Sequence, residues 1–142
     1  MSKHVIIFLV LIIVIRGYFM FSDRQLKLIL DKADILSKVK FDSFAKEAAT
    51  LGKKTENYLI EKEIVSTAVL YETAANFYKI PFTKLKNQTI RKDVLFFIPE
   101  KIASIHQIIA FDADSKTLKV AITNPGDIDI LEFIKKKTGL EL

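Results

Sequence analysis

Residue types able to do chemistry are few and scattered in this chain. With no cysteine among 142 residues there is no thiol nucleophile, no disulfide and no thiolate metal set, which suits a reducing compartment. Of the two histidines, His4 lies in the N-terminal flank and His106 at the end of a short helical segment, each without a second histidine near it. A structural role for His106 is expected, not a general base or a metal ligand. Asp112 and Asp114 could attract a cation, yet two carboxylates at a hairpin tip are more often turn formers. The four glycines (Gly17, Gly52, Gly126, Gly139) are too dispersed to cradle a phosphate, and no Gly-x-x-x-x-Gly-Lys-Ser/Thr occurs. ATP hydrolysis by this chain alone is thereby excluded. No catalytic, cofactor-binding or metal-ligating residue is expected, and the chain reads as non-enzymatic.

Charge narrows the partners. The formal charge of +5 and pI of 9.3 come almost wholly from lysine, since Arg16, Arg24 and Arg91 are the only arginines. Lysine mixed with Asp and Glu along helices marks a solvated face, whereas nucleic-acid binding calls for clustered cations with interleaved aromatics. No nucleic-acid partner is expected. Phe77, Tyr78, Phe82, Phe96 and Phe97 could form a surface for a protein partner, with core packing expected for most of them.

The elements follow from periodicity. A chain that is 50% apolar and 27% charged belongs to the globular class and can build one domain core. Pro99 and Glu100 suit the start of a short helix, reaching about Ser104 or His106. Residues 108–111 are apolar, 112–116 have turn chemistry, and Leu118, Val120 and Ile122 alternate with Lys119, Ala121 and Thr123, so a β-hairpin is expected. Asn124, Pro125 and Gly126 break that strand. Asp127, Asp129 and Glu132 open the next helix, Lys135, Lys136 and Lys137 fill its last turn, and Gly139 caps it. Leu140, Glu141 and Leu142 begin another extended segment.

Between residues 25 and 79 the chain repeats itself: Ile29 and Leu30 match Tyr58 and Leu59, and Ile35, Leu36 and Ser37 match Ile64, Val65 and Ser66. Phe41, Phe44, Ala45, Ala48 and Ala49 match Leu70, Thr73, Ala74, Phe77 and Tyr78, and both sets have the spacing of one helix face. Each copy is a helix, a tight turn and a second helix, with Ser37 and Ser66 placed as N-caps. Pro81 ends the array, and a crossing segment leads to Pro99.

The N-terminus has two readings. Residues 5–15 are an unbroken apolar run, and residues 5–21 with Arg16 inside form a marginal spanning segment, since a membrane helix needs about 20 residues. Without a small-residue cleavage site this would be an uncleaved anchor, and the denser positive charge after it would leave the globular part cytoplasmic. Alternatively, Met20 is the start and residues 1–19 are translated upstream sequence.

The stretch Ile98-Pro99-Glu100, the run Leu118-Lys119-Val120-Ala121-Ile122-Thr123-Asn124-Pro125 and the duplicated helical pair resemble the N-terminal domain of the GspE/PilB-like assembly ATPases of type II secretion and type IV pili. The resemblance covers about 120 of the 142 residues. It implies an α+β fold: an apolar segment at 1–21 that could be a helix, a duplicated helical hairpin forming a four-helix array at 22–79, a linker at 80–97, and an α-β-β-α-β unit at 98–142. It also implies a non-catalytic docking module at the inner face of the cytoplasmic membrane. The partner would be the inner-membrane platform or the assembly ATPase, with membrane association through residues 5–21. An alternative is the N-terminal fragment of a longer secretion ATPase. Another is a cyclic di-GMP sensor, because some of these domains carry Arg-Leu-Gly, Gly and Gln in each helical copy. Here those positions read Gln25-Leu26-Lys27, Asp34 and Ala48, then Lys54-Thr55-Glu56, Glu63 and Phe77. With three acids facing a dianion and the glutamines gone, cyclic di-GMP is not expected as a ligand.

Overall fold

The computed structural model describes residues 7–10 in backbone and residues 21–85 and 88–142 in full. The described residues fall into two compact units: a helical array ending at Phe77, and a sheet unit made of β1 with the chain from Tyr78 onward.

The array contains α1 (Asp23–Lys32), α2 (Lys38–Thr50), α3 (Thr55–Glu61) and α4 (Thr67–Tyr78). Helix α1 starts in a capping box: Gln25 N–H donates to Ser22 Oγ at 3.3 Å, and Ser22 N–H donates to Gln25 Oε1 at 2.9 Å. Ser37 and Ser66 cap α2 and α4, accepting from Lys40 N–H at 3.5 Å and Val69 N–H at 3.2 Å. Leu26, Ile29 and Leu30 of α1 join Phe41, Leu59, Leu70, Tyr71 and Ala74 in the buried interior of this unit.

The repeat is exact at its turns. Asp34 and Glu63 both take left-handed backbone, with φ of 56° and 57°. After α1, Asp34 N–H reaches Asp31 O and Ile35 N–H reaches Leu30 O; after α3, Glu63 N–H reaches Ile60 O and Ile64 N–H reaches Leu59 O, all at 3.0 Å. This is the Schellman ending, with Ile35 and Ile64 as its apolar residues. Gly52 closes α2 the same way at φ 65°. An acid in this conformation carries a Cβ clash that glycine lacks. Asp34→Gly and Glu63→Gly are therefore each expected to stabilise the array by about 0.5–1 kcal/mol, and Gly52→Ala to destabilise it by a similar amount. Urea midpoints at constant m-value check this; a midpoint lowered by both acid-to-glycine changes would mean the side chains earn more than their strain.

The sheet unit has four strands in the order β2-β1-β4-β3: β1 (Ile7–Val10), β2 (Phe82–Thr83), β3 (Ile108–Ala113) and β4 (Leu118–Ile122). Strand β1 runs parallel to both neighbours, with Ile7 opposite Val120 and Leu9 opposite both Ile122 and Phe82. Ile7–Val10 lies within the run expected as a spanning helix and is instead a strand. An uninterrupted apolar run serves either purpose, because a strand flanked by parallel neighbours needs no polar alternation. Of the rest of the anchor segment, residues 5–6 and 11–20, Met20 among them, lie outside the described residues. No helix among the described residues is long and apolar enough to cross a membrane.

Around this sheet lie α5 (Lys92–Leu95), α6 (Glu100–His106) and α7 (Ile128–Thr138). Val94, Ile98, Ile108, Leu118, Val120, Ile122, Ile130 and Ile134 form its buried cluster. The expected hairpin is β3 and β4, with a bulge between Ala110 and Asp112. Residues 80–97, expected as a linker, carry β2 and α5. The last expected strand is a single parallel bridge from Glu141 to Thr117.

Candidate functional site

In the array, the end of α2 and the starts of α1 and α3 enclose a cavity of about 300 Å³ lined by residues that include Phe21, Asp23, Lys53, Lys54, Thr55 and Glu56. Lys54 and Glu56 stand at two of the motif positions of the second copy. Lys53, which the sequence reading did not single out, follows Gly52 out of the α2 ending; its signal was the pair of lysines directly after a helix-capping glycine.

The acids at this cavity are turned to internal partners. Glu56 is buried: Phe21 N–H donates to its Oε2 at 3.2 Å and Tyr71 O–H to its Oε1 at 3.2 Å. Burial, and next the Glu56 charge, push the Tyr71 hydroxyl well above the ordinary tyrosine range, so it stays a donor. Thr55 O–H donates to Asp23 Oδ2 at 3.0 Å. Lys53 is paired with Glu61 at the exposed rim. Asp34 and Glu63 serve as exposed helix-ending residues. Of the remaining motif positions, Ala48 is fully buried and Phe77 is half-buried beneath Lys32, whose Nζ lies 5.4 Å from the ring centroid. Arg24 is exposed in the first turn of α1.

The other candidates resolve into structural roles. His106 Nδ1 meets Asp127 Oδ2 at 2.9 Å, tying the end of α6 to the start of α7. Asp114 accepts from Lys116 N–H at 2.8 Å and Thr117 N–H at 2.9 Å, which holds its carboxyl below the usual range. Asp112 pairs with Lys119 across the hairpin at 2.8 Å, and that hydrogen bond is the main cause lowering its carboxyl. Asp114 is the turn former the sequence suggests, whereas Asp112 lies within β3 and pairs across the hairpin. Of the aromatics, Phe77, Tyr78, Phe82 and Phe97 are half-buried, while Phe96 is 80% exposed and departs from the expected core packing. It follows α5, a helix of a single turn, and stands between Val94 and Ile98, the two residues of this stretch that enter the core.

Residues 78–142 match the MshEN domain family. Among solved structures the chain is similar to one described as MshE with cdg, at 20% identity and a TM-score of 0.63, over 79% of this chain and 81% of that one. No curated protein matches. Residues 78–142 are thus similar to that family, and the fold is that of the matched MshE structure, in line with the resemblance read from the sequence. The expectation that cyclic di-GMP has no place on this chain is overturned, because the matched structure is of MshE with that nucleotide. The physical ground for the exclusion also fails: Glu56 points inward, and Asp34 and Glu63 end helices.

Proposed function

We propose that this chain is a cyclic di-GMP-responsive regulatory domain of a type II secretion or type IV pilus assembly ATPase, itself without catalytic activity. The observation that carries this reading is the duplicated hairpin with matching left-handed turns at Asp34 and Glu63, in a chain whose fold matches MshE with cdg. Lys53 and Lys54 at the cavity supply cationic groups for phosphate. Recruiting Lys53 breaks only an exposed ion pair with Glu61, worth roughly 0–1 kcal/mol. The motif arginines and glutamines are absent, so the ligand is held by a different polar set from the one the family motif provides.

Isothermal titration of the full chain with cyclic di-GMP is the test. Saturable binding is expected, weakened about tenfold by Lys53→Ala and by Lys54→Ala, with GMP as a weak competitor. Absence of heat up to about 1 mM nucleotide would remove the sensor reading. The non-catalytic part is checked separately: the chain is expected to release no phosphate from ATP above a buffer blank, because it has no phosphate-cradling loop. Release that disappears on mutation within this chain would overturn it.

A second reading, docking to the inner-membrane platform at the cytoplasmic face, is favoured by apolar side chains the sheet unit leaves outside: Phe96 at 80% exposure, Ile105 at 64% and Ile128 at 56%.

A further inference from the structure

The cavity in the helical array is lined by charges of both signs: Lys53 and Lys54 from the loop after α2, Asp23 and Glu56 from the first turns of α1 and α3. The two acids are set differently. Glu56 is buried and accepts from Phe21 N–H and Tyr71 O–H. Asp23 is exposed, and it is held toward α3 by Thr55, a buried residue whose O–H donates to Asp23 Oδ2 at 3.0 Å. An acid in a first helical turn suits the dipole, but a side chain turned to solvent would serve that purpose equally. The Thr55 hydroxyl instead keeps the carboxylate at the cavity wall. A carboxylate has about four acceptor sites, and this bond takes one of them.

A ligand for such a wall must bring an anion to the lysines and N–H donors to the carboxylate. Guanine carries two adjacent donors, N1–H and N2–H, on its pairing edge, and these match the two oxygens of a carboxylate as a charge-assisted pair. Adenine turns the lone pair of its N1 toward the same oxygens. Uracil sets a carbonyl on either side of its one N–H. The cavity, about 300 Å³, is at the small end of ligand pockets and suits one base with its phosphate, half of a cyclic dinucleotide.

We propose that Asp23 is the residue that selects guanine at this site, its carboxylate accepting from N1–H and N2–H of one base while Lys53 and Lys54 meet the adjoining phosphate. This rests on the cyclic di-GMP reading above and adds to it the group that tells guanine from adenine. Asp23 lies outside the motif positions, two residues ahead of Gln25. Thr55 is a positioning residue, acting only through the carboxylate it holds.

Isothermal titration of the full chain with cyclic di-GMP and cyclic di-AMP, parent beside Asp23→Asn, is the test. The two nucleotides carry the same phosphates, so the lysines do not separate them. The parent is expected to bind cyclic di-GMP at least about tenfold more tightly than cyclic di-AMP. Asp23→Asn keeps the shape and an acceptor for Thr55, but sets an amide donor against a guanine donor. It is expected to weaken cyclic di-GMP about tenfold and to leave cyclic di-AMP as it was or tighter, which closes the gap. Equal affinities of the parent for the two nucleotides overturn the proposal and leave the sensor reading standing, as does an Asn variant that weakens both by one factor. A parent that binds neither up to about 1 mM removes the sensor reading, and this proposal with it. If Asp23→Asn fails to fold, cyclic di-IMP decides with the parent, because its base keeps N1–H and lacks the N2 amine. Binding about tenfold weaker than that of cyclic di-GMP supports the proposal, and equal binding overturns it.

Discussion

Replacing Glu56 by Ala is expected to cost the helical array about 3 kcal/mol, a large share of the 5–15 kcal/mol that holds an ordinary domain together. The carboxyl is buried and accepts from Phe21 N–H and from Tyr71 O–H. Truncation strands both donors where water does not reach them, at roughly 1–3 kcal/mol each, and leaves a void beside a fully buried tyrosine. Glu56→Gln keeps one acceptor and the shape, so a cost of about 1 kcal/mol is expected. Tyr71→Phe removes one of the donors that reach the buried carboxylate and leaves the carboxylate in place, so a cost of about 1–3 kcal/mol is expected. Combined with Glu56→Ala it should recover part of the loss, because the stranded hydroxyl is gone. Urea unfolding followed by circular dichroism measures all four; Glu56→Ala within 0.5 kcal/mol of the parent would show that these hydrogen bonds do not hold Phe21 to α3 and α4. The same variants bear on the cavity. Glu56 fixes the residue that opens α1 against the start of α3, so loosening it widens the very surface where Lys53 and Lys54 sit.

How much of this was legible beforehand depended on the range of the interactions involved. The turns at Asp34 and Glu63 were readable because a helix ending is local: apolar residues at fixed offsets specify it, and the repeat supplied them twice. The caps at Ser37 and Ser66, the β3 and β4 hairpin and the Gly139 ending follow from the same short-range rules. The direction of Glu56 was not readable. Its motif position placed it at the ligand, but its partners lie 35 and 15 residues away, and only the fold brings them to it. The bulge at Phe111 likewise depends on how β3 meets β4, not on a turn residue in its own sequence. Strand β1 failed for a different reason. Four apolar residues in a run satisfy a strand and a membrane helix equally, and the arbiter is whether a sheet elsewhere in the chain has an edge to fill.

That ambiguity makes the chain begun at Met20 the second large-effect prediction. Losing β1 removes the central strand of the order β2-β1-β4-β3. Strand β2 then loses the pairings of Phe82 with Leu9 and of Thr83 with Val10, and β4 loses its pairing from Val120 to Ile122. At about 1 kcal/mol for each backbone hydrogen bond, the sheet unit is expected to lose roughly 3 kcal/mol or more from the ladder alone. It would also present an open apolar edge, which invites association between chains. The expected result is a Met20 form that unfolds at lower urea and elutes as higher oligomers, whereas the array retains its helical signal. The competing reading of residues 5–21 as a membrane segment expects the reverse: a Met20 form that is soluble, monomeric and as stable as the full chain, with the full chain alone retained in carbonate-washed membranes. Equal urea midpoints would mean that the sheet stands without β1 and that the apolar run is free for the bilayer. A lowered midpoint with a full chain that stays in the soluble fraction would assign the run to the sheet, because the same hydrophobic residues cannot line a strand between β2 and β4 and cross a membrane at once.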